Sequence, residues 1–312
     1  MTLLFQCEGD TDGSMLQALR AALPEQQIRS WPDEVGRRDE IEQAVVWMPP
    51  EDFFDGLAHL THIHLLAAGA DQLLSHPGLP PSASLLRLED AGMGDRMAEY
   101  VLYGVLHAQR RFGDLAEASR ARRWARDIAV PTATEHRVGI LGAGVLATLV
   151  ARRLVANGYP VTCWSRSEKS LPDGIRGHVG EQGLASMLPH IDTLVCLLPL
   201  TEATHGILSA ELFAKLQPGA YLINCARGGH LCETDLTAAL DAGQLTGALL
   251  DVFQREPLPQ AHPFWQDPRI TVTPHLAAPS PVAGSIEQVA ANIRAIACGG
   301  ELSGIVDRSR GY

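Results

Sequence analysis

Three short segments, NCARG at 224–228, EPLP at 256–259 and TPHLAA at 273–278, set Arg227, Glu256 and His275 in that order along the chain. A planar guanidinium can grip the oxygens of a 2-oxo acid with paired N–H groups. An imidazole can hand a proton to the carbonyl oxygen, a role worth about 10²–10⁴ in rate. A carboxylate on the other ring nitrogen orients that imidazole and favours its protonated form. The set therefore suits hydride transfer to a carbonyl carbon. Singly, each residue also has a plainer role: Arg227 in an ion pair after a strand, Glu256 in a turn before a proline, His275 as one of twelve histidines. Arg227 and His275 each follow a predicted strand and Glu256 lies just past a third, and the carboxyl edge of a parallel sheet is where ligands bind.

A glycine loop precedes all three. GILGAGVLA at 139–147 carries G-x-G-x-x-A between a predicted strand and a helix, the form of a dinucleotide-binding turn. Gly142 permits the tight turn, Gly144 lets the backbone approach a pyrophosphate, and small Ala147 allows close helix–strand packing. The N–H groups at the helix start, Val145 and Leu146, then face the phosphates. At the end of the next strand, CWSRSEK puts Ser165 where an NAD-preferring fold places an acid, with Arg166 and Ser167 beside it. A serine and a guanidinium suit a 2′-phosphate, which favours NADPH and leaves NADH possible. The same loop also reads as a solvated polar turn. No metal is expected.

The elements that must position these residues are legible as a pattern. From 137 onward, apolar strands at 137–141, 161–164, 193–198, 220–224, 247–252 and 270–273 alternate with helices at 144–157, 181–188, 209–216 and 233–242. Such a pattern predicts a parallel sheet covered on both faces. Residues 1–95 repeat it on a smaller scale, with strands at 3–7, 44–48, 62–67 and 84–88, a helix over 14–23 and a short helix over 51–60. An apolar helical segment spans 95–115, a polar arginine-rich stretch follows over 117–136, and a last helix covers 281–299. The expected fold is α/β, two Rossmann-like domains with parallel sheets and a cleft between them. The smaller, 1–95 with 281–312 packing back on it, would bind substrate, and 96–280 would bind the dinucleotide.

Composition narrows the function classes. At 312 residues the chain is long enough for two domains. Its formal charge of −11 argues against a nucleic-acid backbone as partner, and no apolar run approaches the ~20 residues of a membrane span. The N-terminus turns acidic at once, unlike a signal peptide. Six cysteines without a CxxC pair read as small buried hydrophobes of a reducing compartment. A cytoplasmic location is expected.

The chain resembles the D-isomer-specific 2-hydroxyacid dehydrogenase family, and within it the glyoxylate/hydroxypyruvate reductase A branch. The resemblance runs through VVWMPP (45–50), AAGADQLL (67–74), MAEYVLYGVL (97–106), GILGAGVLA, LPLTEATHGIL (198–208), NCARGGHLCETDLTAALDAG (224–243), LDVFQREPLP (250–259), HPFW (262–265), TPHLAA and VDRSRGY (306–312). It implies reduction of a small 2-oxo acid to the D product, with His275 as acid and base, Glu256 as its partner and Arg227 on the substrate. It also implies that Pro199, Leu200, Ala226 and Asp251 flank the cofactor, Asp251 near the carboxamide. The N–H groups of Ala68 and Gly69 would hold the substrate carboxylate, and Trp47 and Met97 would line the substrate side, although both also suit core packing. A homodimer is implied. Two departures are Ala147 for the loop's third glycine and AAGAD where GAGVD is more usual, which leaves the preferred substrate side chain open. Other readings are an NADH-using dehydrogenase of another 2-hydroxy acid, or a dinucleotide-sensing binding protein without turnover.

Overall fold

The structure, a computed structural model, describes residues 2–312. It divides into two compact units, one formed by residues up to Met93 with Ser280–Tyr312, the other by Gly94–Pro279.

The first unit begins with β1 (Thr2–Cys7), α1 (Ser14–Ala22), β2 (Gln27–Ser30), β3 (Ile41–Trp47), β4 (His62–Leu65), α2 (Asp71–Leu74) and β5 (Ser84–Leu86). All strands are parallel, in the order β2-β1-β3-β4-β5. That is a doubly wound order with its switch point between β1 and β3. The strands are short and apolar because both faces are covered. Leu4, Ala44, Val46, Ile63 and Leu65 pack on Phe53, Phe54 and Leu57. The segment 51–60, expected as a short helix, is instead a run of turns. Its bonds are i→i−3, such as Phe53 N–H to Pro50 O and Leu57 N–H to Phe54 O, and Gly56 is left-handed at φ 70°. Its phenylalanines are still buried, so the apolar pattern reported burial and not helix. β2 was not anticipated; it is an edge strand with one fully apolar buried residue, Ile28.

The second unit contains α3 (Met93–Gln109, beginning at the junction), α4 (Phe112–Arg120), β6 (Val138–Leu141), α5 (Val145–Ala156), β7 (Val161–Ser165), β8 (Ile175–Val179), α6 (Gly180–Met187), β9 (Thr193–Cys196), α7 (Ala210–Phe213), β10 (Ala220–Asn224), α8 (Glu233–Asp241), β11 (Leu245–Leu250) and β12 (Ile270–Val272). Its sheet is parallel throughout, in the order β12-β11-β10-β9-β6-β7-β8. The helical stretch 95–115 is broken at Arg111, which is left-handed at φ 54°, and helix resumes as α4. The expected helix at 209–216 shrinks to one turn, since Lys215 and Leu216 donate to carbonyls only three residues back. β8 was missed because IRGHV is a polar edge strand with no apolar run. On α3, a Cβ at Gly104 would lie 2.6 Å from Ile223 Cδ1 and 2.8 Å from Leu249 Cδ2. Glycine there lets the helix lie directly on β10 and β11.

The chain then returns to the first unit as α9 (Val282–Cys298), which buries Ile286, Val289 and Ile293 and lies against α1. All six cysteines are free. Cys163, Cys196 and Cys225 are buried, Cys7 and Cys232 partly so, and Cys298 at the end of α9 is exposed, against the expectation of burial. Among the described residues no helix is long and apolar enough to cross a membrane.

Candidate active site

In the second unit the strand order reverses between β6 and β9, and such a switch point opens a crevice at the carboxyl ends of the strands. Apart from Met97 on α3, the sequence-predicted residues of this unit stand at the strand ends, or on the loops and the α5 start that leave that edge. Gly142–Leu146 follow β6, Ser165–Ser167 end β7, Pro199 and Leu200 follow β9, Ala226 and Arg227 follow β10, Asp251 and Glu256 follow β11, and His275 follows β12.

His275 Nδ1 and Glu256 Oε2 are 2.7 Å apart. The other oxygen of Glu256 accepts the Phe253 N–H at 2.9 Å, so the carboxylate is fixed by its own loop and turned toward the ring. Burial pushes the Glu256 carboxyl up. The His275 bond, the Phe253 N–H and the positive charges of His275 and Arg227 outweigh it and hold the group below the usual carboxylate range. Both side chains remain open to solvent, His275 about half exposed.

Arg227 is half-buried, and its Nη1 donates to Ala226 O at 2.7 Å. The turn behind it is held by Asn224 Nδ2, which donates to Arg227 O at 3.1 Å, and by His230, whose Nδ1 lies 3.0 Å from the same oxygen. Gly228 is indispensable here: a Cβ would fall 1.8 Å from Phe253 C and 2.0 Å from its oxygen. The arginine turn and the loop that ends in Glu256 therefore touch backbone to backbone. Gln254 Nε2 ties them again by donating to Leu231 O at 2.8 Å.

His275 itself is left-handed, with φ 53°, a conformation that costs a residue with a Cβ about 1–3 kcal/mol unless its surroundings impose it. The imposing group is Asp251, which is 1% exposed. Its main-chain oxygen accepts the His275 N–H at 2.8 Å. Its carboxylate accepts the N–H groups of Leu276 at 2.9 Å and Ala277 at 2.8 Å, and the hydroxyl of Thr273 at 2.6 Å. Thr273 in turn meets the Tyr100 hydroxyl at 2.7 Å. Thr273, Tyr100, Asn224 and His230 were not singled out in the sequence. All four lie inside the quoted segments, Tyr100 in MAEYVLYGVL and His230 in NCARGGHLCETDLTAALDAG, but only the fold brings α3 to Thr273.

The glycine loop fits a dinucleotide. Gly142 has φ 124° and a Cβ would lie 2.9 Å from Leu197 O, so the turn demands glycine. At Gly144 a Cβ would meet nothing within 4 Å, leaving space above a backbone that begins α5. Gly144 and Val145 are exposed and Ala147 is buried against the sheet. At the end of β7 Arg166 and Ser167 are exposed, and Ser165 Oγ donates to Ser167 O at 2.7 Å. Pro199 O anchors the loop after β9 by accepting from Thr204 Oγ1 at 2.7 Å, and Ala226 is buried. Met97 is 7% exposed within the core under α3. In the first unit Trp47 ends β3 at that sheet's own switch point, partly buried on its core. Ala68 and Gly69 lie half-buried in a bend after β4. Among the described residues no three His, Cys, Asp or Glu gather as a metal site.

Comparison with known proteins matches residues 102–277 to the family model for the D-isomer specific 2-hydroxyacid dehydrogenase NAD binding domain. The glyoxylate/hydroxypyruvate reductase A of Serratia proteamaculans (strain 568) is 45% identical over 302 residues, 95% of each chain. A D-isomer specific 2-hydroxyacid dehydrogenase from Xanthobacter autotrophicus Py2, solved with NADPH and MES, superposes with a TM-score of 0.94 at 37% identity, covering 100% of this chain and 99% of that one. The NADPH-dependent glyoxylate/hydroxypyruvate reductase of Sinorhizobium meliloti, solved with NADP and sulfate, gives 0.92 at 36% with the same coverage. With its glycine loop, its Arg–Glu–His loops and these relatives, the chain belongs to the D-isomer specific 2-hydroxyacid dehydrogenase family.

Proposed function

We propose that the protein is an NADPH-preferring reductase of small 2-oxo acids, taking glyoxylate to glycolate and hydroxypyruvate to D-glycerate. The observation that carries this reading is the 2.7 Å His275–Glu256 pair beside the Arg227 turn at the carboxyl edge of the larger sheet. The names of the Serratia and Sinorhizobium relatives support the substrate class, and the NADPH and NADP in the two solved structures support the cofactor.

Bound on the glycine loop, a reduced nicotinamide supplies the hydride. The chain's own residues do the rest. Gly142, Gly144, Val145 and Leu146 cradle the pyrophosphate with backbone N–H groups, and Ser165, Arg166 and Ser167 take the 2′-phosphate. Pro199, Leu200 and Ala226 flank the cofactor. Arg227 binds the 2-oxo acid and polarises its carbonyl. Ala68 and Gly69 offer N–H groups to the carboxylate, and Trp47 and Met97 shape the substrate side. Protonated His275 donates from Nε2 to the carbonyl oxygen while its Nδ1–H stays on Glu256, so the imidazolium charge is supported until the proton leaves. Hydride on carbon and proton on oxygen complete the alcohol.

On the same reading the enzyme is a cytoplasmic homodimer. Six unpaired cysteines fit a reducing compartment, and Tyr103, Leu106 and Phe112 expose apolar surface suited to a second copy. Kinetics of Arg227→Ala test the assignment. Losing a charge-assisted bond to the substrate should lower kcat/KM for glyoxylate roughly 10–100-fold and leave NADPH affinity unchanged. An unaltered kcat/KM would remove Arg227 from the reaction.

A further inference from the structure

The strained backbone of His275 hangs on a chain of hydrogen bonds that begins outside the motif loops, on α3. Thr273 has one hydroxyl proton, and at 2.6 Å it is given to Asp251 Oδ1. The Tyr100–Thr273 contact of 2.7 Å must then run from the phenol to the threonine oxygen. Burial drives the Tyr100 phenol far above its ordinary value, further than the Thr273 bond lowers it, and nearby Asp251 adds to the effect. The phenol therefore keeps its proton and donates at any working pH. The direction of the chain is fixed: Tyr100 Oη to Thr273 Oγ1 to Asp251 Oδ1, the same oxygen that accepts the Leu276 N–H.

We propose that Tyr100 is a positioning residue for the reaction, its hydroxyl holding Thr273 and through it the Asp251 carboxylate that fixes His275. The proposal rests on the reading of His275 as the proton donor. Its reach depends on α3 lying close to the sheet, and Gly104 provides this one helical turn beyond Tyr100, on the same face. Without the phenol the Thr273 hydroxyl has no donor facing it, so it is free to rotate away from Asp251. Asp251 Oδ1 then keeps only the Leu276 N–H. The residue that suffers is the one with least tolerance, because a left-handed histidine drifts back toward ordinary φ when its restraints slacken.

Tyr100→Phe preserves the ring in the core and removes only the hydroxyl. The expected result is a fall in kcat of about tenfold, which is about 1.4 kcal/mol in the barrier. KM for NADPH should stay within twofold and the melting temperature within a degree or two. Thr273→Val should give a similar loss, and the double variant should be no slower than the worse single one, since both cut one chain. Amide hydrogen exchange gives a reading that does not depend on turnover: Leu276 and Ala277 should lose protection in Tyr100→Phe while the rest of the larger unit keeps it. Unchanged exchange at 276 and 277, or losses of the two variants that multiply, would overturn the proposal. If the parent protein reduces no 2-oxo acid, the functional reading fails on its own, and the exchange result still decides whether Tyr100 holds the loop.

Discussion

His275 meets two demands that usually conflict, openness to substrate and a single orientation. Glu256 meets the second through Nδ1, and Asp251 does so through the main chain on both sides of the ring. His275→Ala should therefore reduce turnover about 10²–10⁴-fold while NADPH binding, followed by fluorescence titration, stays near the parent value. Loss of binding instead would place the residue in cofactor retention. Because Glu256 is held below the usual carboxylate range, its stabilising contacts are in force above the ordinary carboxyl value. They are lost only as pH falls through the lowered one. The histidine thus keeps its partner throughout the neutral range. At the cofactor end, Arg166→Ala should weaken NADPH roughly tenfold or more and leave NADH within twofold. Equal weakening of both would take the 2′-phosphate away from Arg166.

At the scale of elements, the loops rather than the strands bear Arg227, Glu256 and His275, and their mutual contacts set the geometry. Gly228 shows this most directly, since nothing larger fits against Phe253. Gly228→Ala should cost about 1–3 kcal/mol in unfolding free energy and lower kcat as well, because the displaced backbone bears both Arg227 and Glu256. Normal stability with normal kcat would show that the loops can separate. Here the sequence was legible where pattern and chemistry coincide: the strands that lead into Arg227 and His275, and the G-x-G-x-x-A turn, are read directly from apolar runs followed by unusual residues. It was not legible where tertiary contact decides. Phe53, Phe54 and Leu57 have helical spacing, yet Gly56 turns the segment away from helix. The polar edge strand β8 has no apolar signature, and Arg111 breaks a helix with neither glycine nor proline at that position. Tyr100 looks like any aromatic on an apolar helix until α3 is laid on the sheet.

For the molecule as a whole, the two units share one architecture of parallel sheet and covering helices, and both bury histidines, His136 and His230 in the larger and His64 in the smaller. The smaller unit buries a histidine, His64, whose Nε2 lies 2.8 Å from Gln43 Oε1 while Nδ1 has no partner. Burial, with a small push from His62, lowers its pKa to about 3. The unfolded chain takes up a proton near pH 6.5 that the folded one refuses, so stability is full above that value and declines as pH falls toward 3. Between pH 7 and 5 this single group should remove roughly 2 kcal/mol. Denaturant unfolding of His64→Gln should show that much less acid sensitivity than the parent, and matching slopes would assign the acid response elsewhere. The net charge is −11, and Arg166 and Arg227 stand as local cations on loops at one sheet edge, where the proposed function gives each an anion to bind. Reduction of 2-oxo acids by this protein is tested by following nicotinamide absorbance with the purified protein, glyoxylate or hydroxypyruvate, and either NADPH or NADH. Rapid NADPH oxidation with both acids and markedly slower use of NADH is the expected result. Tight NADPH binding with no oxidation by either acid would contradict it and leave a dinucleotide-binding protein in its place.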